Sequence, residues 1–212
     1  GAGTPTVCAE ARGVPVTSRM NSMDMKETLR SRLRRMVLNA HPAYWGTGGR
    51  LTYVADDYHE IRLKLPLTWR TRNVVGTLFG GSMFGAVDPV YMLMLMRILG
   101  SEYIVWDTEA TIRFRKPGRE TLYARFQVDE EDIDRLRVEL ETAASTERTY
   151  TVDLVNRDGV VHASIEKSIY IRRKDAPRSD PRGVKQEARS GAAPARPRSV
   201  STPARDGPDR TT

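Results

Sequence analysis

The pair Gly80-Gly81 stands at the start of a long apolar segment and is the first chemical signal in the sequence. The first N–H groups of a helix have no partner within it, and they point outward at the positive end of the helix dipole. Two residues without side chains let a ligand approach those groups closely. The pair therefore predicts a device that polarises a carbonyl, such as that of a thioester, although Gly-Gly is also typical of a simple turn.

A carboxylate follows in the same apolar segment, at Asp88. An acid within an apolar helix is unfavourable unless it is paired or takes part in chemistry, so Asp88 is a candidate catalytic residue. The next residue, Pro89, leaves a second interpretation open. In that case Asp88 caps the second half of a broken helix whose first position is Pro89.

The elements that must position these residues are strands around the apolar helix. Residues 80–99 are apolar almost all round, so other elements must cover this helix. Alternation and turn residues predict six strands, and helical spacing predicts a short surface helix over 129–144. The predicted strands are 51–54, 60–65, 104–114, 122–128, 150–155 and 160–172. This order predicts an α+β domain in which an antiparallel sheet wraps around one long helix.

The third predicted strand should present a single apolar face to the helix. Strict alternation places Ile104, Trp106 and Ile112 on that face and Asp107 on the opposite one. The sheet can cover the helix from one side only, so Asp107 is expected to face away from it.

The segment around the glycines resembles the motif of the phenylacetyl-CoA-type branch of hotdog-fold thioesterases. That motif reads Asn-x-x-Gly-x-x-His-Gly-Gly, with an Asp nine residues after the His. At the matching places this sequence has Asn73, Gly76, Gly80, Gly81 and Asp88, with Phe79 in place of the His. The run Phe114-Arg115-Lys116-Pro117-Gly118 also resembles the strand and turn that follow the helix in this superfamily. The resemblance covers roughly residues 50–173 and looks closest to an uncharacterised, thioesterase-like branch.

The resemblance implies a hotdog fold that forms a dimer with a continuous sheet, or a tetramer, with the site between two subunits. It implies that Gly80 donates its N–H to the thioester carbonyl, that Asp88 activates water or attacks the acyl carbon, and that Asn73 positions water or substrate. The other substrate contacts are expected from Phe79, Gly81, Ser82, Gly76, Thr77, Arg115 and Lys116. The substrate would be acyl-CoA or another acyl thioester, with no cofactor beyond the CoA of the substrate itself.

Phe79 is the departure from this motif, because a phenyl ring cannot donate or accept a proton. It leaves open a second class of function, a non-catalytic module that binds acyl-CoA or lipid. A hotdog dehydratase ranks last, since that chemistry needs a catalytic His and none of the three histidines is suitably placed.

The net charge of +7 lies at the two ends of the chain. Residues 1–49 contain 7 Lys/Arg and 3 Asp/Glu, residues 50–173 contain 18 and 19, and residues 174–212 contain 9 and 5. A near-neutral middle favours a globular domain between solvated ends and argues against nucleic acid as a partner. With Cys8 as the single cysteine, no disulfide forms within one chain and a metal site is not expected, which is compatible with a cytoplasmic location.

The regions outside the domain have separate predictions. Residues 1–24 are expected to be a disordered extension, with translation starting at Met20, Met23 or Met25, and 174–212 a disordered basic tail. Residues 25–49 are expected to form a basic amphipathic helix and a linker. Packing of this helix on the edge of the core is favoured, and docking to a membrane surface or a partner is the alternative. The longest apolar run, 89–99, is far shorter than the roughly 20 residues that cross a bilayer, so no transmembrane segment is expected.

Overall fold

The structure is a computed structural model that describes residues 27–176. Its helices are α1 (Leu29–Ala40), α2 (Pro42–Thr47), α3 (Gly80–Leu99) and α4 (Glu130–Thr142). Its strands are β1 (Arg50–Val54), β2 (Glu60–Leu65), β3 (Tyr103–Phe114), β4 (Leu122–Gln127), β5 (Ser145–Val155) and β6 (Val161–Arg173). The predicted N-terminal extension, and the predicted tail from residue 177 onward, lie outside the described residues.

The six strands form one antiparallel sheet in the order β1-β2-β4-β5-β6-β3. The predicted α+β arrangement and both predicted hairpins, β1–β2 and β5–β6, are confirmed. Strand β5 begins at Ser145, earlier than predicted, because it pairs with the long β6 from that residue onward. Among the described strands β3 has a neighbour on one side only, which makes it an open edge of the sheet.

Helix α3 is the centre of the core. It has the predicted bounds, and Ala86, Val87 and Met94 are fully buried. On β4, the ring of Phe126 meets Tyr91 of the helix edge to face at 5.2 Å. Within the part of the chain that the structure describes, α3 is the one helix long and apolar enough to cross a membrane, yet half of that span is buried inside the protein. Its apolar character is accounted for by the sheet that covers it.

Strand β3 changes face at a β-bulge. Its pairing with β6 shifts between Asp107 and Glu109, so Thr108 is an extra residue. Upstream of the bulge Val105 is buried, whereas Trp106 is 65% exposed. The prediction that Trp106 faces the helix and Asp107 faces away was therefore wrong, because one extra residue reverses the alternation of side chains.

Helix α1 is attached to β1 through polar atoms. The Ser31 hydroxyl is buried and donates to the carbonyl of Val54. The Asn39 amide donates to the Leu51 carbonyl at 2.9 Å and accepts from the Leu51 N–H at 2.8 Å. Leu38 is partly buried against the core, whereas Leu29, Leu33, Met36 and Val37 are exposed. The favoured prediction, a helix packed on the edge of the core, is therefore confirmed for the position of α1 against the edge strand β1, although the polar side of the helix makes most of the contact.

Candidate active site

The start of α3 presents N–H groups that no described residue uses. Phe79 is the N-cap in an extended conformation (φ −68°, ψ 130°), and it makes no side-chain cap hydrogen bond. The first intrahelical bond runs from the Met83 N–H to the Phe79 carbonyl. The N–H groups of Gly80, Gly81 and Ser82 are therefore the free donors of this helix end.

Two aromatic rings lie against the glycine pair. A Cβ on Gly80 would stand 2.8 Å from Cζ of Phe114, and a Cβ on Gly81 would stand 2.4 Å from Cε1 of Phe79. Glycine is thus needed for the rings to approach the backbone. Both rings are more than half exposed, so they form an open apolar surface at the helix start.

The loop before α3 is held by Asn73. Its side-chain carbonyl accepts from the N–H groups of Val75 (3.1 Å) and Thr77 (3.0 Å), and its Nδ2 donates to the Thr77 hydroxyl at 2.9 Å. Gly76 has φ +83°, a left-handed conformation that favours glycine. Asn73, Gly76 and Thr77 therefore shape this loop, and the predicted role of Asn73 in placing water or substrate stays a prediction.

The turn after β3 joins the same region. The Leu78 N–H donates to the Gly118 carbonyl at 2.8 Å, which ties this turn to the residue just before the helix cap. The backbone N–H groups of Arg115 and Lys116 are both bound to the carbonyl of His162, while their side chains are exposed. The fold thus brings these two predicted substrate contacts close to the start of α3.

Asp88 lies in the middle of α3 and forms an ion pair. Its Oδ1 is 2.6 Å from Nζ of Lys167, and its side chain is 41% exposed. Helix α3 runs without a break through Pro89. The interpretation of Asp88 as the cap of a second helix was therefore wrong.

Asp88 comes eight positions after Gly80 on the same helix. At about 1.5 Å per residue, the two positions are about 12 Å apart along the axis. A single thioester carbonyl cannot touch both groups of one chain.

Lys167 lies between two carboxylates. Its side chain is 1% exposed, and Nζ is 2.9 Å from Oδ2 of Asp107 as well as being bonded to Asp88. Oδ1 of Asp107 is buried and has no hydrogen-bond partner among the described residues. The cluster Asp88–Lys167–Asp107 is therefore a buried ammonium shared by a half-exposed acid of the helix and a more buried acid of the edge strand.

Lys167 and Asp107 were missed by the sequence reasoning. One signal was available for the lysine, since it occupies the same strand face as the buried Ile165 and Ile169. A Lys in that position must be paired, because an isolated charge is rarely buried. Asp107 had no such signal, because the bulge that turns it toward α3 leaves no clear mark in the sequence.

Lys167→Met is expected to lower the free energy of unfolding by about 2–3 kcal/mol. Removing one partner of a buried pair costs about 3–5 kcal/mol, and the lower figure reflects the solvent that screens Asp88. Urea unfolding measures the change. Lys174→Met, at an exposed position just past β6, should alter stability by less than about 0.5 kcal/mol. Equal stability of the two variants would show that the cluster contributes nothing.

Burial raises the pKa of Asp107 above the usual 3.8, although the hydrogen bond from Lys167 opposes this shift. The Asp107 carboxyl group therefore holds its proton more tightly in the folded state than in the unfolded state. Ionised Asp107 therefore reduces stability above its folded pKa, and that penalty is relieved as the pH falls through it. Carbon-13 NMR of the carboxyl group should show a higher pKa in the folded protein than in urea. The reverse order would contradict the burial of this acid.

Comparison with known proteins supports the fold. A Pseudomonas aeruginosa protein of unknown function, named a probable thioesterase, is 21% identical, with a TM-score of 0.60 over 67% of this chain and 95% of that one. A protein of unknown function from Chlorobaculum tepidum is 15% identical, with a TM-score of 0.56 over 68% and 95%. A Haemophilus influenzae thioesterase is 13% identical, with a TM-score of 0.52 over 73% and 98%.

These neighbours include thioesterase-like proteins of the hotdog fold, so the predicted hotdog fold of the single chain is confirmed, while the dimer with a continuous sheet stays a prediction. Identities this low establish the fold alone. No protein of curated function matches the sequence. The model of a family described as a domain of unknown function (DUF4442) matches residues 30–171. The chain therefore belongs to the DUF4442 family, described as a domain of unknown function, and its own fold is of the hotdog type.

Proposed function

We propose that this protein hydrolyses acyl thioesters at a site that two copies of the chain build together. The observation that carries the proposal is the carboxylate of Asp88, which the buried Lys167 holds by one oxygen. The second oxygen, Oδ2, has no partner among the described residues. The thioesterase names of two structural neighbours support the same class of reaction.

In the proposed reaction, Oδ2 of Asp88 takes a proton from water while the water oxygen bonds to the acyl carbon. The carbonyl oxygen becomes an oxyanion that the Gly80 N–H stabilises. The oxyanion then collapses back to a carbonyl as the carbon–sulfur bond breaks, and the thiolate leaves with its electron pair and takes the proton from Asp88, which restores the carboxylate. The alternative is direct attack by Asp88, which forms an acyl anhydride that water hydrolyses in a second step.

The second copy is required by distance, because Gly80 and Asp88 of one chain are about 12 Å apart along the helix. Asp88 is linked through Lys167 to Asp107 on β3, the open edge strand. Pairing of β3 with the β3 of a second copy would extend the sheet and bring the start of the partner's α3 toward Asp88. The site then consists of Gly80 from one chain and Asp88 from the other, in a dimer or in a tetramer of such dimers.

The same geometry suggests how a substrate is held. The exposed rings of Phe79 and Phe114 provide apolar contact beside the N–H donors. Arg115 and Lys116 lie close by with exposed side chains for the phosphates of CoA. An acyl-CoA fits both features, and the acyl group of an acyl carrier protein fits the first.

A second candidate is a module that binds acyl thioesters without hydrolysis. The observation in its favour is Phe79, whose ring lies on Gly81 at the position where the motif has a proton-carrying His. This candidate leaves the exposed carboxylate of Asp88 without a role.

The test uses the full chain with a panel of acyl-CoA esters of increasing length, and with the same acyl groups on acyl carrier protein. Release of free thiol with any member supports hydrolysis. Calorimetric binding of a non-hydrolysable CoA thioether, without release from any ester, supports the binding module. If the protein neither binds the thioether nor releases thiol from any ester, both candidates are overturned.

A further inference from the structure

Helix α1 presents its apolar side to solvent. The exposed fractions are 84% for Leu29, 62% for Leu33, 58% for Met36 and 63% for Val37. At 3.6 residues per turn these four positions fall within an arc of about 100° on one side of the helix. An ordinary surface helix turns such a stripe toward the core. Helix α1 has the opposite orientation, with its apolar side toward solvent.

Contacts on the opposite, polar side of α1 determine this orientation. Ser31 and Asn39 bond to the backbone of β1. The Arg34 guanidinium donates to the Asp56 carbonyl at 3.0 Å, and the hydroxyl of Thr28, the N-cap of the helix, donates to the Asp56 carboxylate at 2.7 Å. These bonds hold the polar side on the domain, and the apolar stripe remains outside.

The edges of the stripe are basic. Helix α1 contains four arginines and no acidic residue. Arg30 and Arg32 fall on either side of the apolar arc, are exposed, and have no ion-pair partner among the described residues. The surface is thus an apolar strip between two guanidinium groups.

Charge decides which partner fits this surface. A second copy would place arginines against arginines, which is repulsive. The chain's own ends are not acidic either, since residues 1–26 contain 3 Lys/Arg and 2 Asp/Glu, and residues 177–212 contain 8 and 4. A bilayer with anionic phospholipids offers both an apolar layer for the stripe and phosphates for the arginines.

We propose that α1 lies in the headgroup region of an anionic membrane and makes the protein a peripheral membrane protein. The stripe enters the acyl boundary, and Arg30 and Arg32 contact lipid phosphates. This inference is independent of the proposed hydrolysis, because none of its residues belongs to the candidate active site.

The experiment is flotation of the full chain with vesicles of phosphatidylcholine alone or mixed with phosphatidylglycerol. We expect binding to the anionic vesicles that weakens as salt screens the arginines. Leu33→Ser with Met36→Ser should weaken it at least about tenfold, because both changes remove apolar surface that would otherwise be buried in the acyl boundary. Since both residues are exposed, these changes should leave the melting temperature unaltered.

The matched control is Val138→Ser. Val138 is 64% exposed on the acidic helix α4, and its loss should leave vesicle binding unchanged. Absence of binding to anionic vesicles, or equal binding by the α1 double variant, would overturn the proposal. The proposal would also be overturned if the double variant bound vesicles as before but formed a smaller oligomer in sedimentation, because the stripe would then be a contact between copies of the chain.

Discussion

Replacing Asp88 by asparagine is expected to lower the kcat of acyl-thioester hydrolysis about 10²–10³-fold, within the range that one acid–base group supplies. The amide has the shape of the carboxylate, and its oxygen can still accept the hydrogen bond from Lys167. It cannot take a proton from water or attack the acyl carbon. Thiol release under saturating acyl-CoA measures the effect.

A matched control for this change is Asp134→Asn, the same substitution at an exposed acid of α4. It should leave kcat within about twofold of the original protein, as expected for a surface change remote from the site. If Asp88→Asn also keeps kcat within about twofold of the original protein, Asp88 is neither the base nor the nucleophile, and the mechanism is wrong.

Gly80→Pro should lower kcat by a similar factor, about 10²–10³, which is the usual effect of removing one oxyanion donor. Gly80 is the first helical position, where proline fits well. Phe79 already has the extended conformation that a residue before proline prefers. The substitution therefore removes the N–H while the helix is kept.

Gly80→Ala is the control that separates the lost N–H from the added bulk. It places a Cβ at the same point near Phe114 but retains the donor. The exposed ring can move aside, so we expect the loss of kcat in the alanine variant to be much smaller than in the proline variant. Equal losses would show that steric contact with Phe114, rather than the N–H, is responsible.

The two variants together test whether the site is shared. In a mixed dimer of one Asp88→Asn chain and one Gly80→Pro chain, a shared arrangement leaves one site with both groups intact and one with neither. Differently tagged chains allow that dimer to be isolated, and about half of the original activity per dimer is expected. A mixed dimer as inactive as its parents would place each site within a single chain.

The sequence by itself determined most of the fold. The long apolar run from Gly80 to Leu99 required a covered helix, and alternating side chains located every strand near its observed bounds except β5, which begins at Ser145 rather than at residue 150. Both signals are local, since period and composition within a segment decide whether it forms a helix or a strand. The glycines and Asp88 were visible for the same reason.

Only the tertiary structure decided what surrounds Asp88. Its partner Lys167 is 79 residues away along the chain, and a pairing across that separation depends on the sheet rather than on any local pattern. The bulge in β3 turned Asp107 toward the helix by adding one residue to the alternation.

The orientation of α1, with its apolar side toward solvent, was also decided by the tertiary structure. The spacing of Leu29, Leu33, Met36 and Val37 gives the helix an apolar stripe, yet the hydrogen bonds of Ser31 and Asn39 to β1 decide where that stripe points. Periodicity fixes the relative placement of side chains on an element, whereas long-range contacts fix how that element is oriented in the protein.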